Sequence, residues 1–174
     1  MTGRVEPHLF VILGATGDLT GRKLLPALFH LMEGTDEPVV VLGTGSRDLD
    51  DATFRSQSRA ALAAAGIDGD RAAAWCDERV HYQQVGRAED YAALATRIAA
   101  VETDHGLAGN RVFYLALPPE AFPDAIERLG SAGLNHGDAW TRLVVEKPFG
   151  RDLASARRLN EVVHRYFDEE QVYR

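Results

Sequence analysis

The chain alternates short, unbroken apolar runs with longer segments whose apolar residues recur every three or four positions. Residues 9–13 (LFVIL) form the first run and end at Gly14; 39–42 (VVVL) end at Gly43. Residues 112–117 (VFYLAL) end at Pro118, and 143–145 (LVV) lead into Glu146, Lys147 and Pro148. Continuous rather than alternating runs suit strands covered on both faces. A weaker strand is predicted over 80–85. Between these runs the spacing predicts helices. Leu24, Leu28 and Leu31 share one face, with Pro26 inside that helix as a candidate kink. Residues 54–65 are alanine-rich; 91–101 hold Leu94, Ile98 and Val101 in register; 121–129 align Phe122, Ile126 and Leu129. Over 152–167, Leu153, Ala156, Leu159 and Val163 form one stripe, and Asp152 can cap its N-terminus. Residues 130–137 (GSAGLNHG) read as a surface loop, and 167–174 (FDEEQVYR) as a helix end running into a loop. The pattern is strand then helix, five times over. Crossovers of this length force parallel strands and right-handed connections. The expected fold class is therefore α/β: an open, doubly wound, mostly parallel sheet with helices on both faces.

A length of 174 residues is one domain, so 1–174 is read as a single unit. With 45% apolar and 26% charged residues the chain belongs with globular rather than disordered proteins. A net charge of −7 argues against nucleic acid and anionic membrane as partners. It also means that an anionic ligand must find local positive charge. Cys76 is the one cysteine; it has no partner for an internal disulfide and is expected to pack beside Trp75 in a protein of a reducing compartment. Residues 1–7 lack the basic end and apolar run of a signal peptide, and no apolar stretch approaches the roughly 20 residues of a membrane span, so a cytoplasmic protein is expected. The six histidines are scattered without metal-ligand spacing, and no metal site is expected.

Chemistry concentrates after the first strand. Gly14-Ala15-Thr16-Gly17-Asp18 joins that strand directly to a helix, as in Rossmann-like dinucleotide folds. Free backbone N–H groups at a helix start, together with the helix dipole, attract phosphate. The two glycines permit a tight turn and close approach of backbone to a pyrophosphate. Thr16 stands where the usual second glycine would be, and its hydroxyl can itself bond a phosphate oxygen. The second strand leads into Gly43-Thr44-Gly45-Ser46-Arg47-Asp48. Arg47 is able to pair bidentately with a ribose 2′-phosphate and Ser46 to add a hydroxyl bond, which favours NADP. Asp48 points the other way, as a ribose-hydroxyl acceptor or simply the cap of the next helix. A short-chain dehydrogenase also carries a similar turn but needs a lysine four residues after a tyrosine. The residues four after Tyr82, Tyr91, Tyr114 and Tyr166 are Gly86, Ala95, Pro118 and Glu170, and the sequence ends after Tyr173-Arg174.

Four segments in order resemble the glucose-6-phosphate dehydrogenase family: FVILGATGDLTGRKLLPALFHL (10–31), YLALPP (114–119), VVEKPFGRDLASARRLN (144–160) and FDEEQVYR (167–174). The resemblance implies the NAD(P)-binding domain of an oxidoreductase that oxidises the C1 hydroxyl of β-D-glucose 6-phosphate to a lactone with reduction of NADP, the entry step of the pentose phosphate pathway. It implies that Gly14, Ala15, Thr16, Gly17, Asp18 and Leu19 hold the pyrophosphate and that Pro118 lies beside the nicotinamide. Lys147 then reaches both cofactor and substrate, and Lys23 sits near the sugar phosphate. Pro118 and Lys147 both follow the carboxyl ends of predicted strands, where ligands bind in such sheets. The peptide bonds before Pro118 and Pro148 are both candidates for the cis form.

Three residues depart from the family's pattern. Thr20 stands where a small residue is usual and should loosen helix–strand packing slightly. The family's 2′-phosphate arginine falls at the position of Ser46, whereas here it is Arg47. Phe122 stands where some members carry tyrosine. The family also has a second, larger domain, whose sugar-phosphate motif follows a Tyr-Arg like Tyr173-Arg174 and whose general-base histidine comes later. Hydride transfer needs such a base, and none of His8, His30, His81, His105, His136 and His164 lies in a suitable motif. The expectation is a cofactor-binding domain with no catalytic residue of its own, its base beyond Arg174, inactive alone. It is expected to be monomeric, because the family's dimer contact belongs to the other domain, unless an exposed surface makes it self-associate. A free-standing NADP-binding regulatory module is the alternative, since fold alone does not separate the two.

Overall fold

The computed structural model describes residues 5–33, 35 and 37–174. In chain order the strands are β1 (His8–Leu13), β2 (Val39–Gly45), β3 (Val80–Gln84), β4 (Arg111–Leu115), β5 (Thr141–Val145) and β6 (Val172–Tyr173). The helices are α1 (Leu25–Glu33), α2 (Asp51–Ala64), α3 (Gly69–Arg79), α4 (Asp90–Asp104), α5 (Phe122–Ser131) and α6 (Leu153–Tyr166). The strands form one sheet in the order β3-β2-β1-β4-β5-β6, and every pairing is parallel.

Side chains along a strand alternate between faces, so β1 feeds two cores. Leu9, Val11 and Leu13 pack with Leu94, Ile98, Ile126 and Leu159 from α4, α5 and α6. Ile12 packs with Leu28, Phe29, Leu62 and Trp75 from α1, α2 and α3. Both faces of the central strands are thus covered, which is why the apolar runs are unbroken in sequence.

The structure departs from the pattern-based expectation in several places. Leu31 is 54% exposed, and the buried face of α1 is Leu25, Leu28, Phe29 and Met32. A five-residue π-helical turn, Thr20–Leu24, precedes α1, with the Leu25 amide donating to the Thr20 carbonyl. A π turn adds a residue per turn and rotates the helix beyond it, so a stripe counted from Leu24 at α spacing points the wrong way. Pro26, which has no N–H to donate, falls in the first turn after that junction. Thr20 is fully buried, and its hydroxyl finds no partner among the described residues.

Helix α3 has no counterpart in the sequence pattern. It is capped by Asp68, which accepts from the Arg71 amide at 3.1 Å, and it buries only Ala72, Trp75 and Cys76, too few to write a clear periodicity. Burial pushes the Cys76 thiol up to about 11. Asp50, not Asp48, caps α2, accepting from the Thr53 amide at 2.8 Å. The stretch 130–137 is not wholly a surface loop: α5 continues to Ser131, and Leu134 and Asn135 are buried. Gly133, at φ +69°, turns the chain so that the Leu134 amide reaches the Leu129 carbonyl (2.9 Å). Leu153, placed in the apolar stripe of α6, is 67% exposed in the first turn, and Leu159 and Val163 do the packing. Asp152 caps this helix as expected, reciprocally with Ser155: the Ser155 amide donates to Asp152 at 2.7 Å and the Asp152 amide to the Ser155 hydroxyl at 3.1 Å. Finally, the last residues add a sixth strand, with Val172 opposite Leu143. The Gln171 side-chain amide ties it down by donating to the carbonyls of Asn135 (3.0 Å) and Thr141 (3.2 Å). Among the described residues no helix is long and apolar enough to cross a membrane.

Candidate functional site

From β1 the chain winds to one side through β2 and β3, then returns to place β4 on the other side. The connections leaving β1 and β4 therefore diverge and open a crevice at the carboxyl ends of the two strands. Gly14 closes the turn at its base with φ +91°, and a Cβ there would press into the Ala116 carbonyl. Only glycine fits both demands. The amides of Gly14 and Ala15 both donate to the Thr44 carbonyl (3.0 and 2.7 Å), and the Gly17 amide donates to the Gly14 carbonyl (3.1 Å). These bonds fix the turn and occupy three of its amides. Those of Thr16, Asp18 and Leu19 carry no hydrogen bond among the described residues and head the helical segment that starts at Thr20. They are the donors available to a phosphate, with the helix dipole behind them.

The facing wall is the end of β2. Ser46 and Arg47 are exposed, and the backbone beneath them is tied to β3. The buried Tyr82 hydroxyl meets the carbonyls of Gly45 (3.0 Å) and Arg47 (2.9 Å), the Val85 amide donates to Gly45 (2.8 Å), and the Gln84 side chain donates to Ser46 (3.2 Å). Burial raises the Tyr82 pKa, with Arg47 opposing and Asp48 adding to the shift, so the hydroxyl keeps its proton.

Between these walls lies a cleft of about 560 Å³, within the range of small-molecule sites. Gly14, Thr16, Gly17, Ser46, Arg47 and Pro118 line it together. The other sequence-selected residues do not. Ala15 is buried and packs into the core on the far side with Phe54. Leu19 is half-buried, and Asp18 pairs with Arg22 at the surface (3.2 Å). Lys23 is exposed on the following helical turn. Lys147 is exposed just past β5, and its peptide bond to Pro148 is cis. Beside it, Glu146 accepts a short hydrogen bond from Tyr114, whose pKa is raised by burial and then by that carboxylate. A larger groove of about 660 Å³ lies between α5 and α6, lined by Glu120, Asp124, Arg151, Asp152 and Arg158 but by no residue of the glycine turn.

The cleft also contains residues that sequence reasoning passed over. Val85, Gly86 and Tyr91 come from the end of β3 and the start of α4, and Asp124 and Arg128 from α5. Asp124 and Arg128 pair at 2.7 Å. Their spacing of four on a helix that begins beside Pro118 was the available signal. Behind the Ser46–Arg47 wall sits a polar cluster. Asp51 accepts from the Tyr82 amide (2.7 Å) and Arg97 (2.6 Å), with His81 at 3.4 Å, while His81 and His105 face each other Nε2 to Nε2 at 2.9 Å. Partial burial pushes the Asp51 carboxyl upward, but the bonds from His81, Tyr82 and Arg97 outweigh it and hold the group well below the usual carboxylate range. No histidine is among the residues lining the cleft.

Residues 11–174 match a family model described as "Glucose-6-phosphate dehydrogenase, NAD binding domain". A glucose-6-phosphate 1-dehydrogenase of Aggregatibacter actinomycetemcomitans is 40% identical over 98% of this chain, and glucose-6-phosphate 1-dehydrogenase 2 of Mycobacterium tuberculosis is 38% identical over 97%. The match covers 36% and 34% of those relatives, so the chain spans about a third of their length. Among solved structures, a glucose-6-phosphate dehydrogenase in complex with its substrate glucose-6-phosphate superposes with a TM-score of 0.84 at 29% identity, over all of this chain and 37% of that one. The glucose-6-phosphate 1-dehydrogenase from Mycobacterium avium gives 0.79 at 31% identity, over 95% of this chain and 35% of that one.

Proposed function

Because this chain belongs to the glucose-6-phosphate dehydrogenase family, matching it through the NAD-binding domain, we propose that residues 1–174 form the cofactor-binding unit for oxidation of D-glucose 6-phosphate at C1, with NADP as acceptor, in the cytoplasm. The observation that carries this reading is the cleft itself: Thr16 and Gly17 line one wall, with the unbonded amides of Thr16, Asp18 and Leu19 at the helix start that follows, and the Ser46–Arg47 turn lines the other. The donor set suits the group. The amides and the Thr16 hydroxyl suit a pyrophosphate, and a guanidinium beside a hydroxyl suits a ribose 2′-phosphate. The one-residue shift from Ser46 to Arg47 is accommodated because both residues are exposed at the same wall. When bound, NADP supplies the hydride acceptor.

The chain's own residues then orient and hold. Gly14 keeps the backbone close enough for the amides to reach the pyrophosphate. Pro118 shapes the nicotinamide end of the cleft. Lys147 presents its ammonium at the carboxyl end of β5, one strand over from Pro118, where a sugar hydroxyl can accept from it. Lys23 offers a second cation to the sugar phosphate from the helix after the glycine turn. The proton of the C1 hydroxyl needs an acceptor, and none of the described histidines lines the cleft. That base is proposed to come from the part of the relatives' length that this chain does not span.

Titration of the purified chain with NADP and with NAD tests the proposal. NADP is expected to bind more tightly, and Arg47→Ala is expected to weaken NADP about tenfold or more while leaving NAD unchanged, since a charge-assisted pair is worth about 1.5–3 kcal/mol. Equal affinity of the unaltered chain for the two dinucleotides would remove the argument for NADP. Formation of NADPH from glucose 6-phosphate by the pure chain would show that the base lies within it.

A further inference from the structure

We propose that the Tyr82 hydroxyl is a positioning group for dinucleotide discrimination, acting through the turn that carries Ser46 and Arg47; this rests on the proposal that the turn receives the ribose 2′-phosphate. Ser46, Arg47 and Asp48 are all exposed, so side-chain packing does little to fix the turn. Its backbone is held from below instead. The Tyr82 hydroxyl has one proton and two carbonyls in reach, Gly45 at 3.0 Å and Arg47 at 2.9 Å, and the phenol shares the proton between them. Both carbonyls are thereby drawn inward to one point, one on each side of Ser46. The Ser46 and Arg47 side chains are left on the cleft side, where both line the pocket.

Tyr82 is itself fixed. Its ring packs on Phe54 with centroids 5.0 Å apart, and its amide donates to Asp51 at 2.7 Å. Arg97, donating to the same carboxylate at 2.6 Å, holds Asp51 in turn. Gly45 completes the arrangement. A Cβ there would sit 3.1 Å from the Tyr82 hydroxyl and 3.2 Å from the Thr16 hydroxyl. The absence of that side chain lets the tyrosine, the specificity turn and the glycine turn meet at one place. Bidentate pairing of a guanidinium with a phosphate demands a fixed direction of approach, and an arginine on an otherwise unpacked turn acquires that direction from its backbone.

Tyr82→Phe removes the hydroxyl and keeps the ring. The Gly45 carbonyl retains the Val85 amide, and the Arg47 carbonyl lies at the exposed turn, so the fold persists. Calorimetric titration of the chain with NADP and with NAD, on the unaltered protein, Tyr82→Phe, Arg47→Ala and the double variant, reads the effect. Expected are a loss of NADP affinity of about five- to tenfold in Tyr82→Phe, the scale of one positioned hydrogen bond, NAD affinity within about twofold, and a double variant no weaker than Arg47→Ala. An equal loss for both dinucleotides would reduce Tyr82 to a structural residue and overturn the proposal. So would an unchanged NADP-to-NAD ratio in Tyr82→Phe beside a collapsed ratio in Arg47→Ala. The converse, a ratio that falls in Tyr82→Phe but not in Arg47→Ala, supports the positioning role and sinks the assignment of the phosphate to Arg47.

Discussion

Gly14 carries two constraints at once, a left-handed backbone and a close approach to the Ala116 carbonyl. Left-handed conformation costs a non-glycine residue on the order of 1–3 kcal/mol, before any clash is counted. Gly14→Ala is therefore expected to lose about 3 kcal/mol of stability, read as a shift in the urea midpoint, and to lose dinucleotide binding with it. A loss below about 1 kcal/mol would mean that β1 and β4 separate without penalty at the crevice. Much of this was legible from the sequence, because a chain that leaves a buried strand and at once enters a helix has to bend where a side chain does not fit. The donors themselves were not. Which amides are consumed by the Thr44 and Gly14 carbonyls depends on a contact thirty residues away and on the exact turn. Tyr82 was hidden for the same reason. It sits in a weak strand as an ordinary aromatic, and its hydroxyl acquires meaning only when β3 pairs with β2 and brings it beneath residues 45–47.

At the level of elements, five of the six strands and five of the six helices followed from period and run length, whereas the errors came from local geometry. One π turn displaced Leu31 from the core, and α3 packs through three small or aromatic residues rather than a full stripe. The segment after α5 sets composition directly against burial. A glycine-rich stretch reads as loop, and truncation of a surface leucine usually changes stability by no more than about 0.5 kcal/mol. Leu134 is only 3% exposed and belongs to the core shared by α5 and α6. Leu134→Ala is expected to lose about 2–4 kcal/mol in denaturant unfolding. A loss within the surface range would return the segment to the loop that its composition suggests. The exposed Leu153 and the buried Leu134 together show where binary patterning stops being informative: at the ends of helices, where the chain's direction rather than its period decides burial.

Taken as a whole, the molecule sets acidic and histidine groups in environments that favour one charge state. His8 and His105 are both lowered from the ordinary histidine value, first by burial and then by a neighbouring cation or histidine. A depressed histidine contributes stability that is fully present above its unfolded value, about 6.5, and is lost as pH falls, because the unfolded chain takes up the proton more readily. Asp51 is depressed as well, and its contribution is lost only as pH falls below the carboxylate range. Unfolding free energy is therefore expected to hold steady above about pH 7, to decline as pH falls below about 6.5 and the unfolded chain's histidines charge first, and to fall again in the carboxylate range. In His105→Gln the first decline should be smaller. A profile that is flat down to about pH 5 would mean that the His81–His105 contact opens to water at little penalty.

The chain's two tryptophans fall in different worlds. Trp75 is buried on α3, edge-on to Phe29 with its indole N–H on the Met32 sulfur at 3.3 Å. Trp140 precedes β5, half-exposed, with the Arg142 guanidinium 4.1 Å above its ring, His8 beside it and Glu6 accepting from its N–H. Neither touches the cleft. One ultraviolet excitation is therefore expected to yield two emissions with separate addresses, a blue one from beneath the sheet and a red one from its amino-terminal rim. The protein carries its own pair of optical reporters, and loss of one colour before the other would reveal a half of the fold letting go first.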